Sequence, residues 1–251
     1  MKNNHKNSLL SIPLPSESID DILEKISLFI KNPHGILHIV SLNPEIFVAA
    51  EENATFKKVL TEAQIRIIDG TYVYRLARFL GISVQARIHG VDLMERLLGY
   101  ASTGRYTVML IGGAPNIADR VADCQKRAHP RLKIVGLQGI KDVRNPSRLE
   151  EDELFSIVAA VKPHIVFVAF GSPHQELWIE AHKEQFEGKV VMGVGGAFDY
   201  LAGAVLRAPK ILRELGFEWL FRLVVQPWRI TRQIKILRFF VLAIKERMNR
   251  S

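Results

Sequence analysis

The chain carries a single cysteine, Cys124, among 251 residues, so no intrachain disulfide can form and a disulfide-stapled secreted scaffold is excluded. Long apolar runs are also missing. The most apolar late stretch, residues 236–244, is interrupted by Arg238 and falls short of the ~20 residues that a membrane-spanning helix needs. Residues 1–11 are polar and do not read as a signal peptide, which with the lone cysteine points to a cytoplasmic protein. No Gly-Lys-Ser/Thr phosphate loop occurs, and the glycines of 193–196 lack the Gly-x-Gly-x-x-Gly spacing of a dinucleotide fingerprint. The eight histidines are scattered without zinc-ligand spacing, so no metal site is expected and His89, His164 and His174 read as polar or core residues. What is present is an ordinary globular composition, 48% hydrophobic and 24% charged, which excludes a disordered or collagen-like chain.

Charge is distributed unevenly. Residues 207–251 hold 11 basic and three acidic side chains, so the whole net excess of +8 lies there and the preceding body is neutral. A neutral body with a basic tail suggests an anionic membrane surface or nucleic acid as partner. Within the tail, Ile230, Ile234, Leu237, Val241, Ile244 and Met248 recur at alternating spacings of four and three, which predicts one apolar stripe on a helix. Arg229, Arg232, Lys235, Arg238, Lys245 and Arg247 are interleaved with it. Apolar side chains entering the acyl boundary beside cations that meet lipid phosphates describe an interfacial helix. A terminal helix packed on its own domain with a solvated basic face fits the same pattern. No nucleic-acid-binding motif accompanies the charge, which disfavours that partner.

Ahead of the tail, short β-rich runs alternate with helical patterns. Strands are expected at 36–41, 65–68, 106–111, 132–135, 164–170 and 189–194, and helices at 44–52, 71–80, 91–102, 115–129, 148–161 and 175–186. The nearly continuous apolar run from Ile165 to Phe170 suits a parallel sheet covered on both faces. The expected fold is therefore α/β, a Rossmann-like, mostly parallel sheet with helices on both faces. Residues 1–206 form the ligand-binding unit and 207–251 a basic amphipathic helical appendage.

Several strand exits share a chemistry. Asn43-Pro44 reads as an N-cap followed by proline at the first helical position. Gly112-Gly113, Gly171-Ser172-Pro173 and Gly195-Gly196 close three other strands, with Ser172 and Gln175 spaced as a capping box. Glycines let backbone approach a ligand, and ligands of open α/β sheets bind beyond the carboxyl ends of the strands. Several such exits on one edge describe a nucleotide or diphosphate cleft. Asp69 follows a strand beside Gly70, where its carboxylate could take a proton from a bound hydroxyl or simply start the next helix. Arg87 could hold a phosphate or sugar, Gln175 and Glu176 could meet sugar hydroxyls or complete the capping box, and Asp199 could bind a ribose or sugar hydroxyl. Arg207, Arg222 and Arg229 could clamp a diphosphate that loses its sugar.

Together these segments resemble the WecG/TagA/CpsF glycosyltransferases. The likeness rests on Asn43-Pro44, Asp69-Gly70, the run from Arg87 to Asp92, and the runs from Gly171 to Glu176 and from Gly193 to Asp199. It continues through Arg207-Ala208-Pro209, the run from Gly216 to Leu223 and that from Gln226 to Arg229. The resemblance implies inverting, metal-independent transfer of an N-acetylmannosamine-type sugar from UDP to a polyprenyl-diphosphate-linked saccharide, in bacterial surface polysaccharide or teichoic acid assembly. It implies no cofactor beyond the UDP-sugar, attachment to the inner face of the cell membrane, and an oligomer as an open option. By the same resemblance Asp69 is the base, and Ser41, Asn43, Arg87 and Gln175 touch sugar. Ser41 stands where some members have threonine and keeps the hydroxyl; His174 stands where lysine is common. A different class of protein, a non-enzymatic α/β nucleotide-binding module whose tail grips nucleic acid, would instead show salt-sensitive binding to strands and no transfer from UDP-sugars.

Overall fold

The computed structural model of the protein describes residues 7–85, 87–206, 208–209, 211–212, 218–225 and 230–250; at 218, 219, 222, 230–233, 249 and 250 it describes the backbone alone. A small antiparallel hairpin, β1 (Ser8–Leu9) and β2 (Ile12–Pro13), precedes α1 (Ile19–Lys31). The main sheet contains β3 (Leu37–Leu42), β4 (Ile65–Ile68), β5 (Thr107–Gly112), β6 (Lys133–Leu137), β7 (Ile165–Ala169) and β8 (Val190–Gly193). Its order is β4-β3-β8-β7-β5-β6 and every pairing is parallel. All six expected strands are present, with ends displaced by no more than two residues.

Alternate residues of each strand feed opposite cores, as the two-residue period of a strand requires. Ile39, Ile67, Leu110, Phe167 and Met192 face one core, built with α1, α5 (Gly90–Gly104), α6 (Ile117–Ala128) and α9 (Ala197–Leu201). On the other face, Val40, Leu42 and Ile68 meet α2 (Pro44–Glu52), α3 (Ala54–Glu62) and α4 (Thr71–Phe79). Farther along that face, Met109, Val166 and Val168 meet α7 (Arg148–Val161) and α8 (His174–Ala181). Each fully buried Ile, Leu, Val or Phe contributes about 1.5–3 kcal/mol, which is why apolar residues occupy both strand faces.

Three helices, α1, α3 and α9, add to those expected from periodicity in the body. Helix α1 starts at a capping box in which Ser18 and Asp21 exchange hydrogen bonds. Asn53 ends α2 and caps α3 at Phe56 N, so two short helices share one residue and neither sustains a long period. The helix expected at 175–186 divides into α8 and a 3-10 turn, Lys183–Phe186.

Two more helices, α10 (Glu218–Val225) and α11 (Ile230–Arg250), follow. Helix α11 lies against α2. Phe239 is fully buried with its ring 5.4 Å from Phe47, Phe240 meets Tyr72 edge-on at 5.8 Å, and Ala243 is buried beside them. Arg238 pairs with Glu52, and the Leu10 N–H donates to the Glu246 carboxylate at 2.8 Å. The stripe expected from sequence faces elsewhere: Ile234, Leu237, Val241, Ile244 and Met248 are 57–73% exposed. Packing and an outward apolar stripe, alternatives in the sequence, belong to two faces of one helix. Among the described residues no helix is long and apolar enough to cross a membrane.

Candidate active site

The sheet opens a crevice where neighbouring strands hand the chain to opposite faces. β3 leads into α2 on one face, and the adjacent β8 leads into α9 on the other. A cleft of about 410 Å³ lies at that point, bounded by the exits of four contiguous strands, β4, β3, β8 and β7. Its volume is in the range of pockets that hold small-molecule ligands.

Asp69 lies at the β4 exit. Its N–H and that of Gly70 donate to the Leu42 carbonyl at 3.1 and 3.3 Å, which ties the β4 exit to the end of β3. The Ile88 N–H donates to the Ile68 carbonyl at 3.0 Å and so brings the next residue, His89, to the carboxylate. His89 Nδ1 is 3.1 Å from Asp69 Oδ1, and the Gly90 N–H donates to the same oxygen at 3.3 Å. Asp69 does not start α4: that helix is capped at Gly70 without a side-chain hydrogen bond. Its side chain is 36% exposed, open enough to meet a ligand, whereas His89 behind it is 15% exposed. His89, expected as a polar or core residue, finds its partner 20 positions away in sequence, where no local pattern announces it.

Ser41 and Asn43 line the cleft from β3, and Asn43 Oδ1 caps α2 by accepting from the Ile46 N–H at 3.1 Å. Across the cleft, Gln175 Oε1 accepts from the N–H groups of Gly171 and Gly195, both at 3.1 Å. Those glycines belong to the loops after β7 and β8, so one amide oxygen ties both loops. Its nitrogen then faces Glu176 and donates to Oε1 at 2.7 Å. The capping box expected between Ser172 and Gln175 is not formed: α8 is capped at Pro173 without a side-chain bond, and Gln175 turns inward to the loops. Glu176 is 1% exposed, and burial pushes its carboxyl above the ordinary carboxylate range. Gly193 makes room for the pair, since a Cβ there would meet Gln175 Nε2 at 2.6 Å and Glu176 Oε1 at 2.9 Å.

Gly171, Gly195, Gly196 and Asp199 also line the cleft, as does one cation absent from the expected set, Lys235 of α11. Gly112 and Gly113 do not. Their positive φ values, 92° and 87°, turn the chain from β5 into α6, one strand beyond the cleft, and Gly113 borders a separate depression near His174. Arg87 stands outside the described lining and its guanidinium donates to the Thr71 hydroxyl. Arg207, Arg229 and the Arg222 side chain lie outside the described residues. Among the described residues no group of three or more His, Cys, Asp or Glu side chains is placed to hold a metal ion.

A parallel α/β sheet with an acidic residue held at the switch-point cleft places the protein among the α/β folds that bind small molecules beyond the carboxyl ends of their strands. The chain belongs to the WecG/TagA/CpsF family of glycosyl transferases, whose model matches residues 7–251. Similar curated proteins include the N-acetylglucosaminyldiphosphoundecaprenol N-acetyl-beta-D-mannosaminyltransferases of Staphylococcus aureus strains MRSA252, NCTC 8325 / PS 47 and COL. Each is 30% identical to this chain over 243 residues, covering 96% of this chain and 93% of the relative.

Proposed function

We propose that this protein moves an N-acetylmannosamine-type sugar, N-acetylmannosamine or its uronic acid, from UDP to a polyprenyl-diphosphate-linked N-acetylglucosamine, with inversion and without a metal. The reaction would serve assembly of a bacterial surface polysaccharide or teichoic acid. One observation carries the reading: an Asp69 carboxylate with one oxygen held by His89 and the Gly90 N–H at the edge of a ligand-sized cleft. In the proposed step the acceptor hydroxyl gives its proton to Asp69, and its oxygen bonds to the anomeric carbon. The bond from that carbon to UDP breaks, and its electron pair leaves with UDP. Attack opposite the leaving group inverts the centre. Family membership and the wording of the relatives' names support this choice of transferred sugar and acceptor.

Charge developing on departing UDP calls for cations in a water-poor site. Arg207, Arg222 and Arg229 remain the proposed partners. Peripheral docking on the inner membrane face is supported by the exposed stripe of α11 with the exposed Lys245 within it, a cation of the kind that contributes roughly 1 kcal/mol near anionic lipid. The test is incubation with UDP-N-acetylmannosamine and the lipid-linked N-acetylglucosamine in the presence of EDTA. A product heavier by one N-acetylhexosamine is expected. Release of free sugar without a heavier lipid, or transfer that requires added metal, contradicts the proposal.

A further inference from the structure

Helix α11 carries two stripes with different tasks. Phe239, Ala243 and Glu246 follow one another at spacings of four and three, and all three hold the helix to the body: two are buried and the third accepts from Leu10 N–H. Lys235 lies four residues before Phe239, one turn ahead on that same face, beyond the reach of the apolar contact. There it lines the active-site cleft with Glu45, Ile46 and Ala49 of α2. Among the described lining residues it is the only lysine or arginine, while Glu45, Asp69, Glu176 and Asp199 carry carboxyl groups. The second stripe runs past it: Ile234 directly precedes Lys235, Leu237 lies two residues after it, and they are 66% and 69% exposed.

We propose that Lys235 binds the diphosphate of the lipid-linked acceptor at the mouth of the cleft. This rests on the transferase reading above and says where its second substrate lies. An acceptor of that class has a hydrocarbon tail, a diphosphate and a sugar in linear order. The protein offers, in the same order, an exposed apolar stripe, a cation at the cleft rim and a carboxylate at the β4 exit. A diphosphate linked to a chain held along Ile234 and Leu237 passes Lys235 as its sugar hydroxyl reaches Asp69. The anchors at Phe239, Arg238 and Glu246 set that position, so Lys235 connects membrane docking to acceptor alignment.

The full-length enzyme and the variants K235Q, K235E and K235R are compared in detergent micelles with lipid-linked acceptor and UDP-sugar varied separately. The KM for acceptor is expected to rise about tenfold in K235Q and further in K235E, to return toward wild type in K235R, and to leave the KM for UDP-sugar unchanged. An acceptor glycoside lacking the diphosphate should be used equally by wild type and K235Q. A rise confined to the KM for UDP-sugar would assign Lys235 to the nucleotide diphosphate and overturn the inference; unchanged constants in both variants would overturn it as well. Failure of the wild type to transfer at all would instead remove the underlying transferase reading.

Discussion

At the scale of single residues the cleft is assembled by hydrogen bonds whose partners are distant in sequence. Gln175 shows this best. Its oxygen is used twice by backbone N–H groups and its nitrogen once by Glu176, so the side chain acts as a strut between the β7 and β8 loops. Beside it, burial raises the pKa of the Glu176 carboxyl. Its folded pKa is raised, so its contribution to stability is present below the ordinary value of 4.5 and is lost as pH rises toward the folded pKa. Glu176→Gln keeps an acceptor for Gln175 and removes the ionisation. The variant is expected to match wild type near pH 4.5 and to gain in relative thermal stability toward neutral pH. Paired melting curves across that range check it, and a wild type that grows relatively more stable with pH would contradict it.

Legibility in the sequence differed among these residues for physical reasons. Asp69 at a strand exit and Asn43 as a cap follow from local order, because neighbours in sequence supply the geometry. Gly112-Gly113 and Gly195-Gly196 look alike as dipeptides, yet only the second pair lines the cleft. The difference is strand order, set by long-range pairing. The same holds for His89, which reaches Asp69 through the backbone bond from Ile88 to Ile68.

Elements show a division between faces. The alternation of short apolar strands and helices was readable because a parallel sheet covered on both sides demands it, and all six strands follow. The regular stripe of Ile, Leu, Val and Met on α11 was readable as well, and it is exposed; the side that holds the helix was not, because Phe239, Phe240 and Ala243 find their partners on the distant α2 and α4. Two substitutions separate the faces. Phe239→Ala opens a cavity against Phe47 and is expected to cost about 3–5 kcal/mol of stability. Leu237→Glu removes no packed contact, so its melting temperature should stay near wild type while co-sedimentation with anionic vesicles weakens. Equal vesicle binding by Leu237→Glu and wild type would refute an interfacial role for the stripe.

For the whole molecule, the neutral body and basic tail describe a protein whose cleft opens beside the exposed apolar stripe of α11. The switch point between β3 and β8 fixes the cleft, and α11 brings a cation to its rim. Family membership joins this architecture to glycosyl transfer. In the proposed reaction Asp69 is the base of that transfer. The most direct measurement is the turnover of Asp69→Asn with saturating UDP-sugar and lipid-linked acceptor, alongside its stabilisation by UDP. The amide keeps the size of the side chain and removes its basicity, so turnover should fall by about 10²–10⁴ while UDP still raises the melting temperature. Near-wild-type turnover in that variant would contradict the account.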